Sequence, residues 1–100
     1  MFEHLPGGEI LQAGLRDLQA GVRSIPALLV LVGAPRLARC GVVIPSHAPS
    51  LLLPEHELYQ LLVSEHGAAQ AHSRYGAWLR RLVSLENALD TLAAANQPVY

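Results

Sequence analysis

From Ala68 to Leu92 the residues Ala68, Ala71, Tyr75, Trp78, Leu82, Leu85, Leu89 and Leu92 recur at alternating spacings of three and four. This is the a/d pattern of a helix that buries one continuous seam, held for more than three heptads. No proline interrupts it until Pro98, so the spacing predicts one unbroken helix from about Ala69 to Ala95. A helix of that length is the spine of a domain this small, and the rest of the chain has to cover it.

The remaining segments read as shorter helices. Pro6-Gly7-Gly8 marks a start, after which Leu11, Leu15, Leu18 and Val22 define one face of a helix running roughly from Gly8 to Arg23. Gly14 lies on that face and allows another helix to approach closely, at a cost of about 1 kcal/mol in propensity relative to Ala. Ser24 is placed to cap a second helix with Pro26 in its first turn. Its apolar run Ala27 to Val32 would also suit a buried strand. Helix is the better assignment, because only the short Val42 to Ile44 offers a pairing partner and a lone strand leaves its backbone groups unbonded. Pro35 opens a short helix or kinked continuation that Gly41 ends.

Residues 42–53, with two prolines and two serines, read as an extended crossover whose Val and Leu side chains pack onto the helices. Pro54, followed by Glu55 and Glu57 near the positive end of the dipole, starts another helix, and Gly67 stops it. The expected fold is therefore all-α: residues 1–100 as a single helical domain, a bundle of about four helices with a long C-terminal one.

Composition bears on what surrounds that bundle. The chain is 51% hydrophobic and only 15% charged, and a domain of 100 residues has much surface for its volume. Some apolar surface is expected to remain for a partner. The net charge is −1, with seven Arg and no Lys, which disfavours nucleic-acid binding. A single cysteine, Cys40, excludes an intrachain disulfide. The N-terminal MFEHLPGGE lacks the basic and apolar regions of a signal peptide, and the longest apolar run, Ile25 to Ala34, is too short to span a membrane. The expectation is a soluble cytoplasmic protein.

The segment His56-Glu57-Leu58-Tyr59-Gln60 is one residue short of the HExxH helix of zinc hydrolases. Gln60 replaces the second imidazole, and a neutral amide is a poor zinc ligand. On a wheel of about 100° per residue, Leu58 and Leu62 centre the apolar face while Glu57 and Gln60 point to water. His66 falls on the apolar side, at a helix end where it can donate to free carbonyls. His4 and His47 carry no spacing signal. Cys40, near the end of a helix, reads as a structural thiol whose pKa is raised. No serine lies in a nucleophile motif and no glycine-rich phosphate loop is present. Arg74, Arg80 and Arg81 flank the seam, and Tyr75 and Trp78 lie in it, which suits core packing better than base stacking.

These observations point to a protein–protein interaction module, an adaptor, regulatory subunit or antitoxin-like partner, with no enzymatic chemistry, metal or cofactor. Its partner is a second copy or a protein encoded nearby. The interface expected is the C-terminal seam: Trp78, Leu79, Leu82, Val83, Leu85, Leu89 and Leu92. Arg81 and Glu86 are spaced to pair across a parallel two-chain seam. The same a/d pattern also describes a bundle closed within one chain. Two alternatives are a metal- or histidine-dependent hydrolase built on Glu55, His56, Glu65, His66 and His72, and a nucleic-acid binder using Arg74, Arg80 and Arg81.

Overall fold

The computed structural model describes residues 5–45 and 53–95. Among the described residues five helices follow one another: α1 (Gly8–Gln19), α2 (Ile25–Val32), α3 (Ala34–Arg39), α4 (Pro54–His66) and α5 (Ala68–Ala95). No strand occurs among the described residues, so the fold is an all-α bundle with a long C-terminal helix.

The ambiguous apolar run is a helix and lies at the centre of the bundle. Ser24 caps α2, its Oγ accepting from the Ala27 N–H at 3.2 Å and donating to Asp17 Oδ2 at 2.6 Å. Ala27, Leu28, Leu29, Val30 and Leu31 are all buried, so α2 is enclosed on every side, by α1, α3, α4 and α5. A helix that is apolar all round needs such a position. It also explains why the run carries no amphipathic period.

α1 crosses α2 through a glycine. A Cβ at Gly14 would come within 2.5 Å of both the Pro26 carbonyl oxygen and Val30 Cγ2, so only glycine permits this approach. The close contact expected from the sequence is realised there. The end of α1 differs from expectation, because the helix stops at Gln19 and Val22 is 49% exposed. Gly21 turns left-handed at φ 76, its N–H bonding to Leu18 O while the Val22 N–H bonds to Asp17 O. These two bonds form a Schellman motif, which satisfies the last carbonyls better than another helical turn ending in the β-branched Val22.

α3 ends in the same way. Gly41, at φ 93, donates to Ala38 O and Val42 to Leu37 O. Here the residue after the glycine is buried, so Val42 pins the chain to the core as it leaves α3, whereas Val43 is 84% exposed. The expectation that the Val and Leu residues of 42–53 pack inward thus holds for Val42 and fails for Val43 and Leu53, both exposed, while Ile44 packs partly against the core. Residues 46–52 of that crossover, including Leu51 and Leu52, lie outside the described residues.

α4 and α5 form a helical hairpin with one residue between them. Gly67 makes the turn at φ 85 and ψ 156. Tyr59 and Tyr75 then meet edge to face with ring centroids 5.5 Å apart. The 28 residues of α5 give a length of about 42 Å, most of the 51 Å long axis of the molecule. Its first half packs on α4 and its second half on α2 and α3.

Candidate interaction surface

The a/d seam of α5 is filled from within the chain. Leu82, Leu85 and Leu89 are at most 7% exposed and join the core with Leu28, Leu58 and Leu62. Trp78 and Leu79 are half-buried against that core. Of the seven residues assigned to an interface from the sequence, only Val83 (46%) and Leu92 (41%) are well exposed. They stand nine residues apart, about 180° around the helix, on opposite edges of the seam. The wide stripe therefore divides into a covered middle and two open margins.

The margin beyond Leu82 is occupied further along α5 by a polar cluster. Arg36 of α3 donates from Nε to Asp90 Oδ2 at 3.0 Å, from one terminal nitrogen to Glu86 Oε1 at 3.3 Å and from the other to Asn87 Oδ1 at 2.8 Å. Its Nη2 also meets Asp90 Oδ2 in a very short contact. Glu86 is the one buried charged residue among those described, and Gly33 makes room for it, since a Cβ there would lie 2.9 Å from Glu86 Oε2. Burial pushes the Glu86 carboxyl up from its ordinary range, with the Arg36 charge opposing. The Glu86 position is thus engaged within its own chain, and the expected pairing with Arg81 across two chains gives way to this intrachain contact. Arg81 instead lies over its neighbour, its guanidinium carbon 4.8 Å from the Trp78 ring.

Cys40 closes the cluster. Its Sγ donates to Asp90 Oδ1 at 3.0 Å, and that bond raises the thiol pKa, with burial adding to it. Conversely, the Cys40 and Arg36 bonds hold the Asp90 carboxyl below its ordinary range. The thiol is half-buried and protonated, a poor nucleophile for the reason expected in direction but not in cause. The cause is a carboxylate far away in sequence, which no local pattern could reveal.

The near-HExxH segment carries a different correction. Glu57 does not face water, because Arg23, after the α1 turn, reaches it in a bidentate pair, Nε to Oε2 at 2.5 Å and Nη2 to Oε1 at 2.8 Å. The helical wheel of α4 alone could not include a neighbour arriving from another element. His56, Gln60 and His72 are exposed, Glu55 is half-buried, and His66 lies 3.8 Å from Glu65. No three His, Cys, Asp or Glu side chains converge as a metal-binding group among the described residues. His4 and His47 lie outside those residues.

The three arginines of α5 do not form one patch. Arg74 and Arg81 share a side, Arg80 points about 100° away, and Arg74 Nε donates to Gln70 Oε1 at 3.3 Å. Among the described residues no helix is long and apolar enough to cross a membrane. Comparison of this chain with protein-family models, with curated proteins and with solved structures gave no match.

Proposed function

We propose that this chain is a small cytoplasmic protein–protein interaction module that associates with a second copy of itself along the open margin of α5. The observation that carries the reading is the pair Leu79 and Val83. They are one turn apart on a single flank, half-buried and 46% exposed respectively. Glu86 and Asp90 continue the same flank, and there α3 covers it through Arg36. Leu79 is still partly covered by the core, and Val83 is the residue of the pair that stands open. The histidine-based hydrolase and the arginine-based nucleic-acid reading have no comparable convergence of side chains behind them.

Size exclusion with light scattering at tens of micromolar tests the proposal. The wild type is expected as a dimer and Val83→Glu as a folded monomer with unchanged helix content. Leu89→Glu serves as the contrast, because Leu89 is 3% exposed and a charge there unfolds the chain instead. A wild type that stays monomeric, with Val83→Glu indistinguishable from it, overturns self-association through this edge.

A further inference from the structure

The turn between α4 and α5 is a single residue, and that residue holds a conformation closed to the other amino acids. Gly67 sits at φ 85 and ψ 156, in a region populated essentially by glycine. A Cβ at Gly67 would meet nothing within 4 Å, so the closed turn depends on backbone freedom and not on space. The chain is helical on both sides, to His66 before it and from Ala68 after it, and the alanine-rich Ala68-Ala69-Gln70-Ala71 favours helix strongly. Straightening this one residue joins α4 and α5 into one helix from Pro54 to Ala95, about 60 Å long.

Opening the hairpin withdraws Leu82, Leu85 and Leu89 from α2 and parts Arg36 from Glu86 and Asp90. Uncovered leucines of this kind cannot remain in water. The surface that fits them, apolar residues and Arg36 alike, is the one each copy of the chain has just vacated. A second copy is therefore the matching occupant, and the packing and ion pairs that held α5 to its own chain re-form between the two copies.

We infer that this protein exchanges α5 between two copies by straightening at Gly67, forming a reciprocal dimer in which Arg36 of each chain pairs with Glu86 and Asp90 of the other. The inference rests on the self-association proposed above, and places the shared surface at the α5 seam and not at the Val83 edge. A one-residue turn set between two segments that are helical in either state leaves a single residue to change on opening, and lets exchange reuse the contacts of the closed chain in place of a new interface.

Two measurements test it. Gly67→Ala disfavours only the closed turn, so its dimer-to-monomer ratio should rise about tenfold or more over wild type. The second keeps Gly67 and reverses the charges, with Arg36→Glu in one chain and Glu86→Gln together with Asp90→Arg in the other. Each variant alone places like charges together, while co-refolding the two from denaturant allows complementary pairs only if α5 is exchanged. A mixed dimer formed by the pair, and by neither variant alone, supports exchange. If the mixture stays monomeric and Gly67→Ala gains no dimer, exchange is overturned. In that event a wild-type dimer broken by Val83→Glu leaves the edge-to-edge reading standing. A mixed dimer alongside a wild-type dimer that Val83→Glu leaves intact supports exchange and removes the edge reading instead, whereas a wild type that stays monomeric overturns exchange as well.

Discussion

The Cys40 thiol and the Asp90 carboxylate, fifty residues apart, share a hydrogen bond of 3.0 Å that joins the end of α3 to the last turns of α5. Asp90 accepts from Cys40 on one oxygen and from Arg36 on the other. The thiol is thereby kept protonated and the carboxylate ionised. Removing the carboxylate charge should release the thiol. In Asp90→Asn, iodoacetamide should alkylate Cys40 several-fold faster near neutral pH, and the pH at which the rate rises should move down. Equal rate–pH profiles for the two proteins would show that Asp90 does not govern the thiol.

Glu86 and Asp90 should impose opposite pH dependences on stability. The Glu86 pKa is raised in the fold, so the folded state binds that proton more readily than the unfolded one, and acidification through the carboxylate range adds stability. The Asp90 pKa is lowered, so its contribution is present above the ordinary Asp pKa and is lost as pH falls through its folded value. Wild-type stability should therefore hold or rise slightly on mild acidification and then fall. Glu86→Gln removes the first effect and keeps the second, so its denaturation midpoint should decline without the initial plateau. Midpoints of the two proteins that run parallel from pH 7 to pH 3 would refute this assignment.

Gly14 and Gly21 should respond to alanine for different reasons. At Gly14 the added methyl meets the rigid Pro26 carbonyl, and overpacking of about 1–3 kcal/mol or more outweighs a propensity gain of about 1 kcal/mol. At Gly21 nothing lies within 4 Å, so Ala pays only for its left-handed backbone, about 1–2 kcal/mol. Urea denaturation of both variants checks the pair. A Gly14→Ala protein as stable as wild type would mean that α1 can lift away from α2 at no cost.

Much of the helical framework is legible in the residues themselves. Pro54 and Gly67 bound α4, Ser24 caps α2, and the three–four spacing after Gly67 runs through α5 to Ala95. Gly14 on the face of α1 marks a close crossing, whereas the end of α1 misleads, because Val22 continues the spacing past a glycine that terminates the helix. The caps and stops come from bonds and sterics within a turn or two of chain, so the local sequence contains their whole cause; Gly14 marks only that something will approach, and Pro26 and Val30 are what does.

The surface of α5 is another matter. Its seam announces that it will be buried but not by what, since an a/d pattern is satisfied equally by a second chain or by α2, α3 and α4 of the same one. Tertiary packing chose the latter for Leu82, Leu85 and Leu89 and left Val83 and Leu92 at the margins. It also decided the charges: Arg23 with Glu57, Arg36 with Glu86 and Asp90, and Cys40 with Asp90, across 34 to 54 residues. A hydrophobic period tells a helix which face to hide. The partner of a charge on the flank depends on the angle and offset at which another helix arrives, and those are set only when all the faces pack at once.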